Sequence, residues 1–156
     1  MNISYRKADI NDIEQLVQLR IDFLKEVQPQ ESRLYTEEAL RTSLSHYFHT
    51  NIMANQFIAW VAVDGNKLIA TSGLVFFEVA PGFTLIDGKI AYIMNMFTDA
   101  NYRGKGIAKE LFQYILEEAK EIGYRRISLH ATDAGRIIYE KFGFKLTNDE
   151  MVLNIA

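Results

Sequence analysis

Polar and apolar positions along this chain alternate first and then fall into helical spacing. "ISYRKA" near the start alternates and predicts a strand with Ile3 and Tyr5 on one face. In "DINDIEQLVQLRIDFLKEV", Ile13, Leu16, Val17, Phe23, Leu24 and Val27 recur at helical spacing. Asn11 or Asp12 can cap that helix, and Pro29 ends it. Arg20 interrupts the stripe at its middle, between Leu19 and Ile21. "TEEALRTSLSHYFHTNI" predicts a second helix capped by Thr36. "FIAWVAV" and "KLIATSGLVFFEV" predict two strands joined by a turn at Asp64–Asn66. "APGFTLIDG" is a loop, and "KIAYIMNMFT" a long β-rich run. "IAKELFQYILEEAKEIG" is the clearest helix: Ile107, Leu111, Ile115 and Ala119 line one face, and Gly123 stops it. "RRISLHAT" predicts a strand, "DAGRIIYEKFG" a short helix and "FKLTNDEMVLNI" a closing hairpin. The predicted order is β-α-α-β-β-β-α-β-α-β-β. Strands alternate with helices only in the second half, so the expected class is α/β (α+β), a mixed sheet with helices on both faces.

The totals narrow the function. A length of 156 residues at 49% hydrophobic content suits one compact domain, residues 1–156. A net charge of -3 is the wrong balance for a broad nucleic-acid surface. With no cysteine there is neither a disulfide nor a thiolate zinc site. No apolar h-region opens the chain and no apolar run is long enough to span a membrane, so a soluble cytoplasmic protein is expected. His46 and His49 lie three apart on a helix, but no nearby carboxylate completes a set; they read as surface residues, and no metal is expected. "EEAKE" reads as a solvated helix face.

Positive charge nevertheless collects where the backbone is barest, in "NYRGKGIAKELF", residues 101–112. A strand, a glycine-bearing turn and a helix together make an anion site. The first helical amides lack intrahelical partners, and the macrodipole adds partial positive charge. Arg103 can fork onto phosphate oxygens and Lys105 can act as a point charge. Neither G-x-x-x-x-G-K-[ST] nor G-x-G-x-x-G is present, which argues against an NTP-binding protein using this loop.

"YIMNMFTDANYRGKGIAKELF" resembles the acetyl-CoA-binding segment of the GNAT acyltransferase family, whose core pattern is [QR]-x-x-G-x-[GA]. "YEKFGF", residues 139–144, is similar to the family's tyrosine-bearing last helix and following strand, and the element order fits as well. The resemblance implies a GNAT-like splayed sheet and acetyl-CoA as co-substrate. It further implies that amides of Arg103, Gly104, Lys105, Gly106, Ile107 and Ala108 cradle the pyrophosphate, and that the backbone at Met96, Phe97 and Thr98 runs along the pantetheine arm. In the family that strand splays from the next one, here "RRISLHAT". Tyr139 would protonate the leaving thiolate, a role to which a hydroxyl with pKa near 10 is suited. The implied activity is acetyl transfer to a primary amine of a small molecule or peptide by direct attack, which needs no covalent enzyme intermediate. A homodimer is compatible with the resemblance. The rival is a non-catalytic module that binds coenzyme A as a sensor or partner surface.

The chain departs from the family in three places. "KIAYIMNMF" holds no carboxylate where many relatives place a glutamate base. That leaves Glu78, or ordered water beside Tyr92 or Asn95, as candidate bases. Thr132 and Gly135 stand where asparagine and alanine are frequent; Thr132 or Asp133 can still cap the short helix, and Thr132 is a cofactor candidate. Ala100 stands where proline is common. His130 reads as a packed histidine near the cleft rather than a base. Phe23, Glu26, Leu34 and Tyr35 are candidate acceptor contacts.

Overall fold

The computed structural model describes residues 2–147 and 150–155. A five-stranded sheet runs in the order β1 (Ile3–Lys7), β2 (Phe57–Asp64), β3 (Lys67–Glu78), β4 (Lys89–Thr98) and β5 (Arg126–Leu129). The first four strands pair antiparallel, and β5 joins β4 in parallel. Helices α1 (Ile13–Val27) and α2 (Glu37–Met53) cover one face; α3 (Ile107–Ile122) and α4 (Asp133–Lys141) cover the other. The expected mixed sheet with helices on both faces is therefore present. No described helix is long and apolar enough to cross a membrane.

Two cores follow from the two faces. Leu16, Val17 and Ile21 of α1 and Phe48 of α2 pack on Phe57, Val61 and Phe97 of the sheet. On the other side Phe112, Ile115 and Ala119 of α3 pack on Leu74, Ala91 and Ile93, with Tyr139 of α4. Phe112 is fully buried against Tyr139 and Phe142, with ring centroids 4.9 and 5.0 Å apart. Truncating such a ring typically costs ~3–5 kcal/mol, so α3 fixes α4 firmly. Several caps match expectation: Thr36 accepts from Ala39 N, Thr132 accepts from Gly135 N, and Gly123 closes α3 with φ 105°.

Four expectations are corrected. The first helix begins at Ile13 with Asp12 at its N-cap position, as expected, but it follows a single 3₁₀ turn over Ile10–Asp12 that Asp9 caps. Asp12 makes no cap bond; its carboxylate takes a fork from Arg6 and the Asp9 N–H instead. β5 stops at Leu129, short of the predicted residue 132, because β4 gives it no partner beyond Ile93. The closing hairpin is absent among the described residues, and its central residues 148–149 lie outside them. Met151, Val152, Leu153 and Ile155 are exposed there, and a four-residue β5 offers a further strand little ladder to join. Finally, Glu118 of "EEAKE" is buried rather than solvated. It accepts from the Trp60 indole N–H at 3.3 Å and pairs with Lys7.

Candidate active site

The site forms where β4 loses its neighbour. The last parallel pair is Ile93 with Leu129, yet β4 continues to Thr98, with β3 on one side and no strand on the other. Residues 94–98, including Met96, Phe97 and Thr98, thus border a gap in which backbone groups have no strand partner. This is the splay between the fourth and fifth strands.

A bulge sits in the same stretch. Thr71 pairs with Phe97 and Gly73 with Met94, so Asn95 and Met96 share one position on the partner strand. Asn95 takes φ 61°. The extra residue turns both Met94 and Phe97 toward α1 and α2, and Met96 toward α3 and α4. Asn95 is 3% exposed, and neither Oδ1 nor Nδ2 finds a hydrogen-bond partner among the described residues. A buried orphan of this kind costs ~1–3 kcal/mol, and it is what a polar ligand group or a water would satisfy.

Beyond Thr98 the chain enters a turn held from three sides. Asp99 accepts from Asn101 N at 2.9 Å and Lys67 Nζ at 3.3 Å. Tyr102 donates its hydroxyl to Asp64 at 2.8 Å. Arg103 donates Nε to the Thr98 carbonyl at 2.9 Å, and its Nη2 donates to both carboxylate oxygens of Glu26 at 2.7 and 2.9 Å. The Arg103 side chain therefore ties the turn to the end of α1, while its backbone remains part of the loop. Lys105 lies over the Tyr102 ring, 5.5 Å from its centroid. Gly104 and Gly106 take φ 78° and 80°, which side chains rarely adopt. A Cβ at either would meet nothing within 4 Å, so the loop faces open space. Gly106 is the N-cap of α3 and supplies no side-chain cap, leaving the amides at Ile107 and Ala108 to the first turn of the helix.

Tyr139 stands on the α3 and α4 face. Its ring leans back over its own helix, so that a Cβ on Gly135 would come within 3.0 Å of the hydroxyl. Glycine at 135 is thus the space in which the tyrosine lies. The hydroxyl makes no hydrogen bond to a described residue, and burial pushes the phenol up from its ordinary pKa. Tyr139 also lines an open cavity of about 1110 Å³ between β5, α4 and the chain after it. The Thr132 hydroxyl caps the same helix, bonding Gly135 N at 3.2 Å.

The opposite face carries a chain of polar groups that the sequence pattern does not announce. Tyr92 pairs across to Ser128, but its hydroxyl reaches forward to Nδ1 of His130, beyond the last strand pair. Nε2 of His130 meets the Glu150 carboxylate. The three thus bridge the point where the strands part. Burial pushes the Tyr92 phenol up, and Glu150 adds to this; Arg20 opposes it. Arg20 reaches this space from α1, and Tyr47 reaches it from α2.

The remaining candidates fall outside this cluster. Glu78 is exposed and pairs with Lys89, at the opposite end of β4 from the splay. Phe23 packs on Phe97, 6.0 Å between centroids. Leu34 and Tyr35 are exposed, as are His46 and His49.

The model of the acetyltransferase (GNAT) family matches residues 15–144. YsnE of Bacillus subtilis, an uncharacterized N-acetyltransferase, is 33% identical over 91 residues, covering 55% of this chain and 54% of that protein. The N-acetylaspartate synthetase of Xenopus tropicalis is 35% identical over 114 residues, 71% of this chain and 39% of that protein. The chain spans about half, or less, of the length of these curated relatives. A predicted acetyltransferase of Clostridium acetobutylicum, solved with acetyl-CoA, matches with a TM-score of 0.88 at 33% identity, covering 98% of this chain and 96% of that one. A GCN5-related N-acetyltransferase of Ralstonia eutropha JMP134 matches at 0.87 and 25% identity, covering 99% of both.

Proposed function

The chain belongs to the acetyltransferase (GNAT) family, and on that premise we propose that it transfers an acetyl group from acetyl-CoA to a primary amine by direct attack. One observation carries the reading. A strand that loses its partner at Ile93 leads straight to two left-handed glycines and an uncapped helix start. The residues fit the co-substrate: open space lies above Gly104 and Gly106, and the strand that borders the gap carries at Asn95 a buried amide without a hydrogen-bond partner among the described residues. Amides from Arg103 to Ala108 hold the pyrophosphate, and Met96, Phe97 and Thr98 hold the pantetheine arm. The Thr132 hydroxyl, already engaged as a cap, lines the far side at the start of α4.

When bound, acetyl-CoA supplies an acyl thioester with a thiol leaving group. Tyr139 is the acid for that sulfur. Burial keeps its hydroxyl protonated until the thiolate departs; the hydroxyl then gives its proton to the sulfur, and the phenolate left behind regains one from solvent through the open cavity that Tyr139 lines. On the other face Tyr92 takes the proton that the attacking amine releases and passes its own to His130 Nδ1. Glu150 holds the imidazole through Nε2 and steadies the cation that forms. The carboxylate missing from β4 thus acts at one remove, from the end of the chain. This replaces Glu78, or a lone water, as the base.

Calorimetry with coenzyme A and ATP, followed by turnover of acetyl-CoA against a panel of amines, tests the reading. Coenzyme A is expected to bind and ATP not, with thiol released only when an amine is present. His130→Gln should lower kcat by about the 10²–10⁴-fold of a lost proton acceptor while leaving coenzyme A affinity unchanged. An unaltered kcat with the chemical step limiting would exclude the relay.

A further inference from the structure

Resting on the acetyl-transfer reading, we propose that the acceptor amine also carries an anionic group, a carboxylate or a phosphate, held by the Arg20 guanidinium. Arg20 lies in the inward stripe of α1, flanked by buried Leu19 and Ile21, and is itself partly buried. Arg6, Arg41, Arg103 and Arg136 each pair with a carboxylate. Arg20 makes no hydrogen bond or ion pair with any described residue, and its one ring contact is Phe23, 5.7 Å from the centroid. The groups facing it are Tyr47 from α2 and Tyr92 from β4. Both phenols are pushed up by burial and are neutral near pH 7, and the Glu150 carboxylate that also acts on Tyr92 is engaged by His130, so Arg20 has no ion-pair partner among the described residues. A desolvated cation left unpaired is costly, and a planar fork of donors fits a carboxylate or phosphate.

Position turns this into a statement about the acceptor. Arg20 lies 5.7 Å from the Phe23 ring, which packs 6.0 Å from Phe97 of β4, so it stands over the same face of β4 as Tyr92, the residue that receives the amine proton in the proposed reaction. A molecule whose amine meets Tyr92 therefore places its next few atoms beside Arg20. The residue that breaks the apolar stripe of α1 in the sequence is thus the one that selects the acceptor.

Matched pairs of amines test this: β-alanine against ethylamine, and O-phosphoethanolamine against ethanolamine. The two pairs also separate a carboxylate from a phosphate preference. The wild type is expected to favour at least one anionic member by about 10- to 100-fold in kcat/KM, the range for a hydrogen bond to a charged group. Arg20→Gln should bring that ratio toward one, and Arg20→Lys should keep part of it. A second readout needs no turnover: the Arg20 Nε–H NMR signal, in protein saturated with coenzyme A, should shift with the favoured anionic amine and not with its neutral partner. Equal turnover within both pairs, or an Arg20 signal that no anionic amine moves, would overturn the inference while leaving acetyl transfer intact. If no amine at all is acetylated, the acetyl-transfer reading fails, and the NMR signal still decides whether Arg20 binds anions.

Discussion

Tyr92 and Tyr139 stand on opposite faces of the same short stretch of β4. Tyr139 packs with Ala91 and Ile93 under α3, whereas Tyr92, between those two residues, faces Arg20 and Tyr47 under α1 and α2. Just beyond, β4 and β5 part. An acyl group lodged in that gap would have one phenol on each side of the sheet, with His130 and Glu150 lining the same open cavity as Tyr139. In the proposed reaction the two tyrosines divide the acid and base work by face.

Tyr139→Phe removes only the hydroxyl. The ring keeps its place against Phe112, 4.9 Å away, so stability and coenzyme A affinity should barely change. Loss of a general acid should lower kcat and kcat/KM together by about 10²–10⁴-fold. The deficit should shrink with an acyl donor whose thiol is more acidic. Unchanged kcat with the chemical step limiting would remove Tyr139 from the mechanism.

Gly106→Glu should abolish acetyl-CoA binding in a domain that still folds. Gly106 takes φ 80° with open space where a Cβ would stand, so the new carboxylate would occupy the anion site and repel phosphate. Circular dichroism checks the fold and calorimetry the affinity. Affinity near that of the wild type in a folded variant would contradict the phosphate cradle.

Arg103 and Glu26 should act as one unit. Their side chains are each 46% exposed, so the pair itself is worth only about 0.2–1 kcal/mol of stability. Its consequence is the position of the loop. Arg103→Ala and Glu26→Ala should each weaken coenzyme A binding, and the double variant should be no worse than Arg103→Ala alone. If Glu26→Ala instead tightens binding, the guanidinium leaves Glu26 for the phosphate when the ligand arrives.

Asp12 should govern part of the acid sensitivity of the fold. The Arg6 fork holds its carboxyl below the ordinary range, against a burial that pushes it up. A lowered folded pKa gives stability that is present above the unfolded value of about 3.9 and is lost as pH falls through the folded one. Asp12→Asn should therefore cost about 1–3 kcal/mol at pH 7. Its Tm should converge on that of the wild type below about pH 4. A constant gap across that range would show that the charge of Asp12 does not matter.

Much of this architecture is legible in the sequence because it depends on local pattern. The stripe of α3, its glycine stop and the glycines ahead of it are local signals, and the loop with left-handed glycines lies where they point. What escapes the sequence is pairing. The splay between β4 and "RRISLHAT" comes from the family resemblance, while the residues themselves do not say that the pairing ends at Leu129. The bulge at Asn95 is hidden because both Met94 and Met96 are apolar, so the alternation looks unbroken. His130 and Glu150 meet only through the path of the chain after α4, which carries no periodic signal. Glu118 reads as solvated because the Trp60 and Lys7 that bury it come from distant strands. Arg20 does leave a mark in the sequence, as a charge inside an apolar stripe.

The most direct test of acetyl transfer follows both products at once. The protein is incubated with isotopically labelled acetyl-CoA and the amine panel, and free thiol and N-acetylated amine are measured together by mass spectrometry. One labelled N-acetyl product should appear for each thiol released, with no label on the protein. Tight coenzyme A binding with neither thiol release nor acetylated amine would contradict the account and identify a sensor that binds the same molecule.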